Sequence, residues 1–228
     1  MTTTATWLGH ACVLIRTRQH SLLIDPFLSG QPLPPPVSPD TIAADFILLT
    51  HGHADHVGDT VNIARRTGAT VISNYEITTW LTNQGVSRVH PMHIGGSYRF
   101  PFGRLKLTQA VHGSGLPDGS YGGNPCGLLL ALDGCTLYHA GDTGLFGDMA
   151  LIGEAGIDLA FLPIGDNFTM GPEDALRAVQ LLKPRRVVPI HYNTWELIRQ
   201  DADSWAERVR QETATQAIVL APGGSVEL

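Results

Sequence analysis

The chain has 228 residues, of which 43% are hydrophobic and 16% charged, and its formal net charge is −6 at pH 7. This composition indicates an ordinary globular protein that is long enough to bury a sizeable core. The acidic balance argues against a general affinity for nucleic acids, although phosphate can still be recognised in a cleft that contains cations.

The cellular compartment is predicted from the cysteines and the N-terminus. Cys12, Cys126 and Cys135 are an odd number in apolar surroundings, which predicts buried thiols in a reducing compartment and no disulfide framework. No basic segment followed by a long apolar core begins the chain, so we expect no signal peptide. The apolar stretches are only as long as strands, so we expect no membrane span and a cytoplasmic location.

The first part of the chain is predicted to be a meander of short strands. Apolar runs at 5–8, 12–15 and 22–24 are separated by short polar segments. The segment 31–40 contains five prolines and is expected to form an exposed, semi-rigid loop. A buried strand is predicted at 46–49.

Helices and strands alternate in the next part. We expect a helix over 57–67 that is closed by Gly68, then a strand over 69–73. A second helix is expected over 76–84, ending at Gly85.

The middle of the chain is richer in strands. Apolar residues recur over 105–111 and indicate a strand. The runs 127–132 and 136–139 flank Asp133-Gly134, a strong hairpin signal. The glycine-rich segment 113–123 is expected to be a mobile loop.

The last part again mixes both types of element. Strands are expected at 158–162 and 187–190, with a helix opened by Pro172 between them. A final amphipathic helix over 195–211 and a last strand over 217–220 complete the prediction.

No linker divides the chain, and we expect one domain over residues 1–228. The order of strands followed by helices, repeated once, predicts two β-rich halves packed sheet to sheet with helices outside. The predicted fold class is therefore α+β.

The most informative segment is His-Gly-His-Ala-Asp-His at 51–56, which directly follows an apolar run. Burying three imidazoles and a carboxylate together leaves polar groups unpaired unless a cation lies among them. Imidazole and carboxylate suit zinc, manganese or iron, and the absence of nearby cysteine argues against a closed structural zinc site. A solvated, histidine-rich turn is the plainer alternative.

Three further candidate ligands also follow apolar runs, namely His112, Asp142 and His191. Each alone has a structural interpretation, since a single histidine after a strand is more often structural than functional. Their common placement at strand ends is what favours a shared site.

The chain resembles the metallo-β-lactamase-fold hydrolases, in particular a branch of metal-dependent hydrolases related to L-ascorbate-6-phosphate lactonase. The resemblance rests on the residues just named and on phrases spread over nearly the whole chain. These phrases are Trp-Leu-Gly-His-Ala at 7–11, Asp-Pro-Phe-Leu at 25–28, Gly-Asn-Pro at 123–125, Tyr-His-Ala-Gly-Asp-Thr-Gly at 138–144, Pro-Ile-Gly-Asp at 163–166 and Pro-Ile-His-Tyr-Asn-Thr at 189–194.

The resemblance implies a four-layer αββα sandwich with a dinuclear metal site at one edge between the sheets. The family pattern implies that one metal is held by His51, His53 and His112 and the other by Asp55, His56 and His191, with Asp142 bridging them. We expect two divalent ions, zinc first and manganese second.

The expected activity is hydrolysis of an ester, lactone or phosphoester of a small molecule by a hydroxide that bridges the two metals. Asp55 and Asp142 are the candidate catalytic residues, with Asp55 orienting the nucleophile or relaying a proton. His10 is a third candidate, in contact with substrate, with a partly buried structural role as its alternative.

Other polar residues are assigned supporting roles. Asp25 is expected either to accept a hydrogen bond from a ligating imidazole or to be a turn residue before Pro26. His139 is expected to pack or to support the neighbouring loop, and His20, His90 and His93 to be surface or structural residues.

Two segments are expected to rim the pocket, 113–123 with Asn124 and 166–170, with ordinary turn chemistry as the alternative. The expected partner is a small-molecule substrate, with no nucleic acid, no membrane and a homo-oligomer allowed. Two other functions stay open at this point. One is a nuclease or phosphodiesterase acting on nucleic acid, and the other is a metal-bound binding module without turnover.

Overall fold

The computed structural model describes residues 2–32 and 35–228, so that Leu33 and Pro34 of the predicted proline loop lie outside the described residues. Two seven-stranded mixed sheets face each other. The first has the order β14-β1-β2-β3-β4-β5-β6 and the second β13-β12-β11-β10-β9-β8-β7. The strands of the first sheet are β1 (Thr4–Gly9), β2 (Cys12–Arg16), β3 (Ser21–Ile24), β4 (Phe46–Leu48), β5 (Thr70–Asn74), β6 (Val89–Met92) and β14 (Ser225–Glu227). Those of the second are β7 (Ser97–Phe100), β8 (Gly103–Gln109), β9 (Cys126–Leu132), β10 (Cys135–His139), β11 (Leu159–Pro163), β12 (Arg186–Ile190) and β13 (Gln216–Ala217).

Helices cover the outer faces of both sheets. They are α1 (Ala54–Val57), α2 (Thr60–Thr67), α3 (Tyr75–Asn83), α4 (Met149–Gly153), α5 (Pro172–Leu182) and α6 (Ala202–Glu212). This arrangement is the α+β sandwich that the sequence and the resemblance predicted. In the described part of the chain, none of the helices combines the length and the hydropathy needed to cross a bilayer.

The alternation of side chains along each strand builds two apolar layers. In β3, Leu22 and Ile24 join the large core between the sheets, whereas Leu23 points to the outer face, where it clusters with Ile63 of α2 and Ile77 of α3. Successive side chains of a strand lie on opposite faces, so a continuous apolar run suits a strand that is buried on both.

The two sheets follow the same plan. In the first, β14, β1, β2 and β3 pair antiparallel, while β3 to β6 run parallel. In the second, β7 to β10 pair antiparallel and β10 to β13 run parallel. Parallel strands bring their carboxyl ends to one edge of a sheet, which is where polar loop residues can converge.

Some predicted boundaries are wrong. The helix predicted over 57–67 begins only at Thr60, because Gly58 has φ +39 and turns the chain after Val57, the last residue of α1. The helix predicted from 195 starts only at Ala202, after Asp201 accepts a hydrogen bond from the Ser204 backbone N–H at 3.0 Å as an N-cap. A 3-10 turn over Glu196–Ile198 precedes it.

The end of the chain also differs from the prediction. Instead of one strand over 217–220, the structure has the short β13 and then β14, which returns to pair with β1 of the other sheet. The prediction missed β6 and β7, since their side chains are mostly half-buried or exposed and give no apolar run.

We expect Leu130→Ala to lower the free energy of unfolding by about 2–5 kcal/mol, because Leu130 is fully buried between the sheets and truncation leaves a cavity. The exposed neighbour Ala131 offers a control, and Ala131→Ser should stay within about 0.5 kcal/mol. Urea unfolding followed by circular dichroism measures both. Equal midpoints for the two variants would contradict the assignment of β9 faces.

The turn after β10 depends on Gly141, which has φ +63 and lies against Thr50 and Cys126. A Cβ at this position would come within 2.8 Å of Thr50 Cβ and 2.9 Å of the Cys126 carbonyl oxygen. We expect Gly141→Ala to be more destabilising than Gly134→Ala, because Gly134 has φ +89 but nothing within 4 Å of an added Cβ. Both variants carry the backbone strain of about 1–2 kcal/mol, and only the first adds a clash. Equal unfolding free energies for the two variants would contradict this prediction and show that neighbouring atoms move to relieve the clash.

Candidate metal centre

The seven side chains predicted to bind metal lie together at one edge between the two sheets. The first sheet supplies four of them from the segment after β4, and the second supplies three from the segments after β8, β10 and β12. They surround a cavity of about 420 Å³. Its floor is formed by His53, Asp55, His112, Asp142 and His191. His51 and His56 lie beneath them and are fully buried.

Two histidine clusters lie on either side of Asp142. In the first, His51, His53 and His112 place ring nitrogens within 4.8 Å of one another, and His51 Nε2 lies 3.0 Å from His53 Nδ1. In the second, a carboxylate oxygen of Asp55 and ring nitrogens of His56 and His191 lie within 4.8 Å of one another. A ring nitrogen of His10 lies within the same distance of all three. Together the clusters offer two groups of three or more potential ligands.

The carboxylate of Asp142 reaches both clusters. Its Oδ2 lies 3.5 Å from His112 Nε2 and 3.0 Å from His191 Nε2, and its Oδ1 lies 3.3 Å from His56 Nε2. Asp142 is nearly fully buried. The carboxylate of Asp142 therefore lies close to imidazoles of both clusters.

Several of these buried atoms have no hydrogen-bond partner among the described residues. They are His56 Nε2, His191 Nε2 and Asp142 Oδ1, and their close contacts lack hydrogen-bond geometry. An unpaired buried polar atom costs about 1–3 kcal/mol, so three facing one another are unfavourable without a further group. Imidazole nitrogens and carboxylate oxygens suit a divalent cation, and the donor set thus fits metal.

The electrostatics of the cluster are strongly coupled. Burial lowers the pKa of His191, but the neighbouring carboxylates of Asp142 and Asp55 together outweigh burial and raise it to about 9. For His56, burial again acts downward, and Asp142 and Asp25 together hold the pKa well above its usual range. Burial keeps the pKa of His51 well below its usual range, so this imidazole is neutral, the form that binds metal.

Asp25 makes the predicted contact with an imidazole. Its Oδ2 accepts from His56 Nδ1 at 2.8 Å and from Thr50 Oγ1 at 2.6 Å, while Oδ1 accepts from the Thr50 backbone N–H at 2.9 Å. The bond to Nδ1 fixes the ring so that Nε2 faces Asp142. Asp25 also has φ +42 and turns the chain before Pro26. It is therefore both a hydrogen-bond acceptor for an imidazole and a turn residue.

His10 is buried behind Asp55 and does not line the cavity floor. Its Nε2 lies 3.2 Å from Asp55 Oδ2 and its Nδ1 lies 2.8 Å from Thr194 Oγ1. Burial, helped by His191, lowers the pKa of His10 to about 4, so the neutral ring donates from Nε2 and accepts from Thr194. In this structure His10 contacts Asp55, and its predicted contact with a substrate stays a prediction.

The remaining histidines fall into two groups. His139 is buried, donates from Nε2 to the Ala11 carbonyl and accepts the Gly141 backbone N–H at Nδ1, so it supports the turn that carries Asp142. His20, His90 and His93 are not among the residues that line the cavity. His90 packs instead on the aromatic rings of Tyr98 and Phe100.

The rim of the cavity is apolar and consists of Phe168, Trp195 and Leu197. Phe168 belongs to the predicted rim segment 166–170, but the other two were missed because their segment was predicted as a helix. Residues 113–123 and Asn124 do not line the cavity, and Asn124 Oδ1 accepts from Tyr121 Oη at 3.1 Å. The roles of Thr50 and Thr194 were also missed, since single threonines give no signal in a sequence.

Comparison with known proteins identifies the family to which the chain belongs. Residues 20–192 match the model of the family described as the β-lactamase superfamily domain. A solved structure of Igni18, a metallo hydrolase from the archaeon Ignicoccus hospitalis, superposes with a TM-score of 0.90 at 36% identity, covering 100% of this chain and 99% of that one.

Two curated relatives are similar over nearly their whole length. A UPF0173 metal-dependent hydrolase of Desulforamulus reducens is 52% identical, with 96% of both chains covered. One from Thermus thermophilus is 50% identical, with 97% of both chains covered. With this identity and coverage, the chain belongs to the UPF0173 family of metal-dependent hydrolases, within the metallo-β-lactamase superfamily.

Proposed function

We propose that the protein is a dinuclear metal-dependent hydrolase that acts on an ester, lactone or phosphoester of a small molecule. The observation that carries this proposal is the buried carboxylate of Asp142, whose oxygens lie within 3.0–3.5 Å of imidazoles from both clusters. A carboxylate in this position suits a bridge between two cations.

The proposed ligand sets follow the two clusters. His51, His53 and His112 would hold one ion, and Asp55, His56 and His191 the other, with Asp142 contributing to both. Zinc is the first candidate and manganese the second, because both accept nitrogen and oxygen donors.

When bound, two divalent ions supply a hydroxide at neutral pH and polarise the substrate oxygen. The chain's own residues orient the reactants. The Asp55 side chain is 24% exposed at the cavity floor. Burial would raise its pKa, but the hydrogen bond from His10 and the neighbouring imidazoles of His191 and His56 hold it far below the usual range. Asp55 is therefore ionised and suited to orient the attacking water, with His10 Nε2–H fixing its position.

The resemblance to L-ascorbate-6-phosphate lactonase supports a lactone as one substrate class within this proposal. A cytoplasmic location belongs to the same proposal, supported by the three free cysteines. A small-molecule partner belongs to it as well, supported by the size of the cavity, about 420 Å³. This volume suits a small ligand.

We expect Asp142→Asn and His53→Ala to lose bound metal and to reduce hydrolysis to the background rate, because each removes a ligand from the cluster. Metal content is measured by inductively coupled plasma mass spectrometry. Activity is measured on a panel of lactones, esters, phosphodiesters and a short RNA with zinc or manganese. His93→Ala is the matched control, since His93 does not line the cavity. Unchanged turnover in both ligand variants would reject the proposal, and turnover of RNA alone would reassign the enzyme to the nucleases.

We expect Asp25→Asn to weaken metal affinity by about 10–100-fold while the protein stays folded. Asparagine also tolerates the positive φ of this position, but its amide nitrogen cannot accept from His56 Nδ1. Competition with a chromogenic chelator measures the affinity. Asp45→Asn is the control, because Asp45 accepts hydrogen bonds from Ser21 away from the cavity. Equal affinities in the two variants would show that Asp25 acts only in the turn.

A further inference from the structure

The rim of the cavity exposes three large apolar side chains at one place. Phe168 is 51% exposed, Trp195 37% and Leu197 68%. All three line the same cavity as the histidine clusters. A single exposed apolar residue is ordinary, but several around one concave site mark a surface that binds an apolar group.

The segment that carries Trp195 and Leu197 is held in place by hydrogen bonds. The Asn193 backbone N–H donates to the Ile198 carbonyl at 2.8 Å, and Asn193 Oδ1 accepts from the Gln200 backbone N–H at 2.8 Å. The Trp195 ring packs against the ring of His10, with centroids 4.9 Å apart. The indole is therefore positioned before any ligand arrives.

The segment that carries Phe168 is tied to the site in the same way. The Met170 backbone N–H donates to the Thr143 carbonyl at 2.9 Å, next to Asp142. Gln200 Nε2 donates to the Gly165 carbonyl at 3.1 Å and so links the two rim segments. A preorganised apolar surface loses little conformational entropy when a ligand binds.

The rim offers no lysine or arginine to an anionic substrate group. The chain has 15 lysines and arginines, and none of them lines this cavity in the described part of the chain. Arg199, two residues after Leu197 in the sequence, is paired with Glu196 at 2.7 Å. The metal ions of the proposed function would attract the reacting group at the floor. An anionic group on the part of the substrate that reaches the rim would find no lysine or arginine to pair with.

We propose that the substrate is an ester or lactone whose non-reacting part is an uncharged aromatic or branched aliphatic group that packs against Trp195, Phe168 and Leu197. This inference rests on the proposed function and narrows it to substrates that are apolar and uncharged away from the reacting bond. Hydrolysis forms a bond from the water oxygen to the carbonyl carbon and breaks the bond to the alkoxy oxygen. The alkoxy oxygen takes up the proton that the water loses, so an ester gives a carboxylic acid and an alcohol, and a lactone gives a single hydroxy acid.

The activity test compares methyl phenylacetate with methyl acetate, which share a leaving group and differ in the aromatic ring, and adds monomethyl succinate, whose carboxylate away from the reacting bond makes it the anionic probe. We expect the aromatic ester to be the best of the three. Trp195→Ala and Leu197→Ala should each raise its KM by about tenfold with a smaller change in kcat, because they remove apolar contact outside the reacting atoms. Leu151→Ala is the matched control, since Leu151 is 63% exposed but lies outside the cavity.

A binding test provides a readout that does not depend on turnover. Benzyl methyl ketone has the shape of methyl phenylacetate but no leaving group, and acetone is its counterpart without the ring. Saturation-transfer NMR on the full-length, metal-loaded protein should detect binding of the aromatic ketone, weakened by about tenfold in Trp195→Ala and unchanged in Leu151→Ala.

Three results would overturn the inference. One is faster turnover of monomethyl succinate than of the aromatic ester. Another is unchanged KM and ketone binding in the two rim variants. The third is a concentration-dependent dimer that is lost in Leu197→Ala while ketone binding stays the same, which would assign the rim to a subunit contact. By contrast, ketone binding without hydrolysis of any ester would overturn the proposed function and leave the apolar binding site standing.

Discussion

The structure depends on burying the carboxylate of Asp142 among imidazoles that come from both halves of the chain. A buried charge without partners is costly, and its distances of 3.0 Å to His191 and 3.3 Å to His56 show how closely it is surrounded. His56 follows a strand of the first sheet, whereas Asp142 and His191 follow strands of the second. Electrostatics at this point therefore also hold the two sheets together along one edge.

These side chains can converge because the backbone turns sharply at the ends of strands. Of the eight non-glycine residues with positive φ in the described part of the chain, six lie at or beside the site: His10, Asp25, Asp166, Asn167, His191 and Asn193. Histidine, asparagine and aspartate tolerate this conformation better than most residues. The same residue types that offer ligands and hydrogen bonds thus also allow the chain to leave a strand abruptly, and strained backbone gathers where chemistry is organised.

Much of the fold could be predicted from the sequence because the core strands are short apolar runs buried on both faces. Leu22 to Ile24 is such a run, and the structure places it in β3. The edge strands β6 and β7 contain no buried apolar run. They are strands because they pair with a neighbouring strand, and their side chains are mostly half-buried or exposed. The break at Gly58 was missed because it depends on the Pro26 carbonyl, which lies only 2.5 Å from the position a Cβ would take.

The metal-binding candidates could be predicted for the same local reason, since a ligand-rich segment directly after an apolar run ends at the edge of a sheet. Their supporting contacts could not. The bond between His10 and Thr194 joins residues 184 positions apart, and no local pattern announces it. Trp195 and Ile198 have the i, i+3 spacing of an amphipathic helix. Only the N-cap at Asp201 and the hydrogen bonds of Asn193 move the helix start beyond them.

Floor and rim of the cavity are built from different parts of the fold, and this separation has a consequence for specificity. The floor is fixed by strand ends, buried charges and hydrogen bonds such as that between Asp25 and His56. The rim consists of side chains that extend from two loops and contribute nothing to the charge balance below. Substitutions in the rim can therefore change which substrate fits without disturbing the metal-binding groups, which is how one fold can serve many hydrolases. For this reason the substrate of a member of this superfamily has to be argued from its own rim, and here that rim is apolar.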